Sequence, residues 1–159
     1  MAASTPDEVY RAVRVFDGVP VILMQCTTNY SDPDVSHCNL NVLREYRRPR
    51  YGAPVAGVGL SDHTRSLPVA VAAVALGAEV IERHFTDDRT RTGSPDHPFA
   101  MQPEDWRIMV DACNEAELAL GDPTKRVYPN EVETRIVQRR GLWGGKALRP
   151  CTQGHELPW

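Results

Sequence analysis

The sequence lacks the features that mark several broad classes of protein. No apolar run approaches the roughly 20 residues that a helix needs to cross a bilayer, and the first residues do not form a charged segment followed by an apolar secretory core. The formal net charge is only −3, with Lys and Arg spread along the chain, so no broad basic surface for nucleic acid or an anionic membrane is predicted. We therefore expect a cytoplasmic protein that binds neither nucleic acid nor membrane.

The four cysteines do not form a metal or redox motif. None stands in a CxxC pair or at another metal-ligand spacing, and a reducing cytosol disfavours structural disulfides. Cys26 ends an apolar run and Cys113 lies on a helical apolar stripe. Both are therefore interpreted as small core residues.

What is present is the composition of one ordinary globular domain, with 159 residues, 42% of them hydrophobic and 25% charged. The residues 5–8, Thr-Pro-Asp-Glu, have the form of a capping box that starts a helix. Spacing predicts that this helix buries one apolar face, formed by Val9, Ala12, Val13 and Phe16.

Helical and strand patterns alternate along the rest of the chain. Strands are predicted over 19–24, 55–60 and 80–85, and the first reads as a strand buried on both faces. Helices are predicted over 36–47, over 67–76, and from Pro103 to Gly121. In the first of them the residues expected to face inward are Leu40, Leu43 and Tyr46. In the last they are Trp106, Met109, Val110, Cys113 and Leu120. No hairpin signal separates the strands, so they should be parallel, in an α/β fold with right-handed crossovers.

Polar residues whose side chains could bind a metal or a substrate lie where these strands end. His63 follows the second strand and His84 the third, so the two imidazoles should be neighbours about 5 Å apart. They could share one metal ion amid Asp62, Asp87 and Asp88, or each could bond a backbone carbonyl. Imidazole and oxygen ligands suit Mn²⁺, Mg²⁺ or Zn²⁺.

Weaker candidates for ligand binding lie near the same ends of the predicted strands. The hydroxyl and amide side chains of Ser61, Thr27, Thr28 and Asn29 could bind a carboxylate or phosphate, or could serve ordinary turns and caps. Asp96, in a Gly- and Pro-rich loop, could bind a sugar hydroxyl or form an Asx-turn. Neither His37 nor His97 has a potential ligand or catalytic partner at a recognisable sequence spacing, so both are interpreted as surface residues.

Five motifs in order resemble the N-acetylneuraminate (sialic acid) synthases, a family that includes legionaminate, pseudaminate and sialate-9-phosphate synthases. The first is residues 25–30, Gln-Cys-Thr-Thr-Asn-Tyr, and the second is 59–64, Gly-Leu-Ser-Asp-His-Thr. Residues 75–86 resemble the Ala-Leu-Gly-Ala and Glu-Arg-His-Phe-Thr block, 93–96 the Gly-Pro-Asp motif, and 139–142 the Arg-Arg-Ser-Leu that leaves the barrel.

The resemblance implies a (β/α)8 TIM barrel followed by an antifreeze-like (SAF) domain, usually in a homodimer. Residues 1–143 would be the C-terminal portion of the barrel, about its last three strands with helices, and 144–159 a linker and the truncated start of the antifreeze-like domain. The implied reaction condenses phosphoenolpyruvate with an N-acylated amino sugar, such as N-acetylmannosamine, to give a nonulosonic acid and phosphate.

Roles follow from the matched positions. The resemblance makes His63 and His84 catalytic ligands of a divalent metal, Mn²⁺ or Mg²⁺. It places Ser61 and Thr28 against phosphoenolpyruvate, and Tyr30 and Asp96 against the amino sugar.

The match also departs from the family pattern. Met1 to Ser4 resemble residues just after the family's fifth strand, so the chain is expected to begin at an internal methionine. Ser94 is an extra residue within the Gly-Pro-Asp motif. The alternative to a synthase is therefore a catalytically incomplete fragment that binds metal or associates with a full-length homologue.

Overall fold

The structure of this chain is a computed structural model that describes residues 2–30, 34–51, 55–138, 142–143 and 146–147. The chain divides into two compact units, residues 1–121 and 122–159. Several sequence-based predictions lie outside the described residues: the helix-breaking Gly52 and Pro54, Cys151, the Arg-Arg-Gly part of the 139–142 motif, and most of the antifreeze-like segment.

Unit 1 alternates four helices with three strands, in the order that the sequence predicts. The elements are α1 (Pro6–Arg14), β1 (Val21–Cys26), α2 (Val42–Tyr46), β2 (Val55–Asp62), α3 (Leu67–Ala75), β3 (Val80–Arg83) and α4 (Pro103–Leu120). Short 3-10 turns occupy Val35–His37 and Pro49–Tyr51. The strands form one sheet in the order β1-β2-β3, with both neighbouring pairs parallel, so the predicted α/β class is confirmed.

The first helix begins as its capping box predicts. The Thr5 backbone N–H donates to a Glu8 carboxylate oxygen at 2.7 Å, and the Glu8 backbone N–H donates to the Thr5 hydroxyl at 3.4 Å. Val9 and Val13 are buried, as predicted. Phe16 is 49% exposed, so its predicted burial is wrong, because the helix ends at Arg14 and Phe16 lies in the following turn.

The prediction of one continuous helix over 36–47 is wrong. A 3-10 turn capped by the Asp34 carboxylate covers Val35–His37, and α2 starts only at Val42. Asn39 adopts a positive φ of 47°, which a continuous right-handed helix cannot accommodate. Tyr46 of α2 is buried nonetheless, as the apolar spacing predicts.

The first strand has one buried and one more open face. Leu23 and Gln25 are buried against the helices, whereas Ile22 is 48% exposed, so the prediction of burial on both faces is wrong for this chain. The strand begins at Val21 because Pro20 has no backbone N–H for the ladder.

The helix α4 has the predicted bounds but is more exposed than its apolar residues suggest. Met109 is the residue that it buries, packed with Ala70 and Met101, and Trp106 and Cys113 contact this cluster from partly buried positions. Val110 is 43% and Leu120 54% exposed, so the predicted inward orientation of these two residues is wrong.

A buried ion pair joins the end of β2 to the end of β3. A terminal nitrogen of Arg83 lies 2.7 Å from a carboxylate oxygen of Asp62, and both side chains are at least 98% buried. The other carboxylate oxygen accepts the Thr64 backbone N–H at 2.8 Å. Arg83 also donates to the carbonyl of Thr64 and, at 3.4 Å, to that of Ser66. The guanidinium thereby fixes the loop after β2, which begins with His63.

Unit 2 contains a 3-10 turn at Pro129–Glu131, the helix α5 (Val132–Gln138) and two short strands, β4 (Leu142–Trp143) and β5 (Lys146–Ala147). The two strands pair antiparallel. The helix and this pairing were not predicted, and the boundary after Trp143 stays a prediction. Within the parts of both units that the structure describes, no helix combines the length and apolarity needed to cross a membrane.

The end of α3 gives a first prediction. Gly77 has a φ of +93°, and the Ala78 N–H returns to the Ala73 carbonyl at 2.9 Å in a Schellman motif. A side chain at this position is strained, so Gly77→Ala should lower the free energy of unfolding by about 1–2 kcal/mol. Urea unfolding measures the loss. Gly93→Ala is the control because Gly93 has open space around it, and equal losses in both variants would contradict the prediction.

The buried ion pair gives a second prediction. Arg83→Met leaves the Asp62 carboxylate buried without its cation, so the free energy of unfolding should fall by about 3–5 kcal/mol. Asp62→Leu combined with Arg83→Met should recover part of that loss in the same denaturant titration. Arg91→Met, which removes a half-exposed pair with Asp87, should cost less than about 1 kcal/mol. A loss no larger than this control would show that the pair contributes little.

Candidate functional site

The two predicted metal ligands lie side by side at the carboxyl ends of β2 and β3. Asp62 and Arg83 are register partners, so His63 and His84 occupy the next position on each strand. The ring centroids of the two histidines are 5.1 Å apart, with an interplanar angle of 54°. The predicted proximity of the two imidazoles is therefore confirmed.

Four rings form one cluster at this point. Tyr30 lies 4.5 Å from His63 and 5.8 Å from His84, measured between centroids. Phe99 lies 5.4 Å from Tyr30 in a stacked arrangement. Tyr30 is 42% exposed, so it borders the histidines on the solvent side, whereas Phe99 is only 6% exposed.

The electrostatic setting favours a neutral imidazole at His63. Burial lowers the pKa of His63 below its ordinary value, and the adjacent His84 lowers this pKa further. A hydrogen bond to the Thr27 backbone and the nearby Asp62 carboxylate oppose the shift but do not reverse it. A neutral imidazole has the free ring nitrogen that metal coordination requires.

His84 has a carboxylate beside one ring nitrogen. Its Nδ1 lies 3.5 Å from a carboxylate oxygen of Asp96, and both side chains are about one-third exposed. The backbone carbonyl of Asp96 accepts the N–H groups of Phe99 at 3.2 Å and Ala100 at 3.0 Å. Asp96 therefore faces the site with its side chain while its backbone organises the turn that follows.

Two other predicted substrate contacts are placed differently. The Ser61 hydroxyl donates to a Glu82 carboxylate oxygen at 2.7 Å, two positions before the histidine on each strand. Thr28 is exposed and lines a separate cavity of about 680 Å³ near the start of α1. Thr28 thus lies apart from the ring cluster, whereas Tyr30 belongs to the cluster and Asp96 borders it at His84.

The acidic residues near the motif do not surround the imidazoles. Asp62 is held by Arg83, the Asp87 carboxylate pairs with Arg91, and Asp88 accepts the Thr90 N–H in a local turn. Over the described ranges, no group of three or more His, Cys, Asp or Glu side chains is arranged to hold a metal ion. Asp62 thus lies near His63 but is engaged by Arg83, and Asp87 and Asp88 have partners of their own.

Two further interpretations from sequence also need correction. Cys26 is not a core residue: it is half-buried, with its sulfur 3.9 Å from the Nδ1 of His63. His97 is not a free surface residue, because its Nδ1 lies 2.8 Å from the Thr86 hydroxyl oxygen. His37 is exposed, as predicted.

Two features of the site were not predicted from the sequence, namely Phe99 and the pairing between Asp62 and Arg83. The pair had a signal, since opposite charges occupy equivalent positions at the ends of consecutive strands. Phe99 had little signal beyond an apolar run after Asp96, because its contact with the histidines depends on how the loop returns.

Most of the chain is similar to known proteins. The sequence profile of the NeuB family matches residues 1–125. An N,N'-diacetyllegionaminic acid synthase of Campylobacter jejuni is 33% identical over 129 residues, which are 81% of this chain and 37% of that protein. The human N-acetylneuraminate-9-phosphate synthase is 38% identical over 130 residues, or 80% of this chain and 34% of that protein. The chain thus spans little more than a third of either relative.

Solved structures give the same picture. A sialic acid synthetase from Leptospira borgpetersenii, solved with citrate, matches with a TM-score of 0.70 at 27% identity, covering 84% of this chain and 47% of that one. The spore coat polysaccharide biosynthesis protein SpsE of Bacillus subtilis matches with a TM-score of 0.58 at 30% identity, covering 85% and 40%. The three-stranded parallel sheet fits part of such an α/β fold. With its profile match and its relatives in agreement, the chain belongs to the NeuB family.

Proposed function

We propose that this chain forms one wall of the active site of a nonulosonic acid synthase. In the complete (β/α)8 barrel, the reaction would join phosphoenolpyruvate to an N-acylated amino sugar such as N-acetylmannosamine and release phosphate. The observation that carries the proposal is the placement of His63 and His84 side by side at the ends of neighbouring parallel strands. Active sites of α/β barrels are built at that end of the strands.

The residues present fit a divalent metal, Mn²⁺ or Mg²⁺. Burial keeps His63 inclined to the neutral form, and Asp96 beside Nδ1 of His84 leaves the opposite ring nitrogen as the available ligand. With two imidazoles from this chain, coordination positions remain for oxygen atoms of substrate and water. Held by His63 and His84, a cation of this kind would supply Lewis acidity toward the aldehyde oxygen of the amino sugar.

The substrate contacts are proposed from the same rim. Tyr30, exposed beside His63, and Asp96, beside His84, are placed to bind the amino sugar. Ser61 and Thr28 are assigned to phosphoenolpyruvate, for which Ser61 would turn its hydroxyl hydrogen from Glu82 toward an anionic oxygen. The relatives named as synthases of N,N'-diacetyllegionaminic acid and N-acetylneuraminate 9-phosphate support a product of the nonulosonic acid class. A homodimer of the complete protein stays a prediction.

A second candidate function is non-catalytic. The chain would bind metal, or associate with a full-length homologue, without turning over substrate. The observation that favours it is that the face of the sheet carrying Glu82 and Cys26 is only partly covered within unit 1. Such a face cannot enclose phosphoenolpyruvate on all sides.

Metal binding supplies a third prediction. His63→Ala should weaken Mn²⁺ binding by the full chain at least about tenfold, because half of the protein ligand set is lost. Electron paramagnetic resonance of free Mn²⁺ during a titration measures the affinity. His37→Ala, an exposed histidine on a 3-10 turn, should leave the affinity unchanged. Equal binding by His63→Ala and the unaltered chain would refute the ligand assignment.

Catalysis supplies a fourth prediction. The chain is mixed with the separately expressed amino-terminal part of a NeuB-family relative, together with phosphoenolpyruvate, N-acetylmannosamine and Mn²⁺. The thiobarbituric acid assay should detect a nonulosonic acid, and the His84→Ala chain should give none. Absence of product with every amino sugar tried would argue for the binding-only candidate. Turnover by the isolated chain would eliminate that candidate.

A further inference from the structure

Phe99 touches both candidate ligands edge to face. Its ring lies 5.1 Å from His84 at an interplanar angle of 71° and 6.1 Å from His63 at 67°. Edge-to-face contacts are a preferred geometry between aromatic rings because a positive ring edge meets a negative ring face. A single side chain therefore contacts both imidazoles in an orientation that restricts their tilt.

This contact is not a by-product of the apolar core. The two clusters of buried apolar side chains in the described part of unit 1 are centred on Leu43 and on Met109, and Phe99 belongs to neither. The rings around Phe99 are those of Tyr30, His63 and His84. Its burial is thus at the site rather than in the packing between sheet and helices.

The backbone on each side of Phe99 is held by an arginine. Arg65, from the loop after β2, donates to the carbonyl of Pro98. Arg89, from the loop after β3, donates through its Nε to the carbonyl of Ala100 at 2.9 Å. The loops that follow the two histidines therefore both bind the segment that carries Phe99.

The same segment is hydrogen-bonded to the end of β3. The Met101 N–H donates to the His84 carbonyl at 2.8 Å, and the Thr86 N–H donates to the Met101 carbonyl at 2.9 Å. The sulfur of Met101 lies 3.0 Å from a terminal nitrogen of Arg83. These contacts return the chain to the strand end two residues after Phe99 and leave its ring little freedom to move away.

We propose that Phe99 is a positioning residue that sets the ring planes of His63 and His84. The proposal rests on the proposed function in one respect: an imidazole binds a metal along a lone pair in its ring plane, so the tilt of the ring decides where the lone pair points. Phe99 itself contributes no ligand atom. It holds the two lone-pair directions convergent.

The test uses the full chain and Phe99→Leu, which keeps much of the apolar volume but removes the aromatic edge. Proton–carbon spectra of the histidine rings should show changed, broadened signals for His63 and His84. Mn²⁺ affinity should fall about tenfold, as expected when an orienting contact is lost. Phe16→Leu, at a half-exposed phenylalanine after α1, should change neither measurement.

Circular dichroism and thermal unfolding establish that the variant is folded, and Phe99→Met replaces it if Leu prevents folding. Unchanged histidine signals in a folded variant, with Mn²⁺ affinity within twofold of the unaltered chain, would overturn the proposal. If the unaltered chain binds no Mn²⁺, the metal in the proposed function fails. The ring spectra then decide the positioning role of Phe99 by themselves.

Discussion

A carboxylate and a guanidinium buried together each lose several kcal/mol of hydration, and only close pairing and further hydrogen bonds offset that loss. Asp62 and Arg83 meet both conditions, since they pair at 2.7 Å and each also binds the backbone of Thr64. The arrangement of the site depends on this interaction. Because His63 and His84 follow these residues directly, the pair fixes the two strand ends from which the imidazoles project.

The residues that stabilise the strand ends and the residues that line the site lie on opposite faces of the sheet. Side chains of successive residues point to opposite faces of a sheet. Asp62 and Arg83 consequently lie toward the helices, while Ser61 and Glu82 share the opposite face and hydrogen-bond to each other. Arg65 and Arg89, in the loops after the two strands, bind the carbonyls of the residues on either side of Phe99. The Phe99 ring in turn contacts both histidines.

The sequence predicted the parts that depend on local chemistry and short periodicity. The capping box of α1 and the glycine after α3 are local, and the two histidines were placed together because parallel strands end at one edge. Predictions were wrong where burial depends on the tertiary structure. The burial of Leu120 depended on whether another element covers it, and that of Phe16 on where α1 ends. Cys26 was assigned to the core because its apolar run does not reveal which face it occupies. The placement of Phe99 required a bridge between Phe85 and Met101 that has no local signature.

The pairing of β2 with β3 also protects the fold against misalignment. If β3 slipped by one residue, its alternation would reverse, and Arg83 would move to the face of Ser61 while His84 moved toward the helices. Asp62 would then be buried without its cation, a cost of about 3–5 kcal/mol. A one-residue slip would therefore both separate the two imidazoles and leave a buried carboxylate without its cation. The register that keeps the two histidines together is thus also the more stable one.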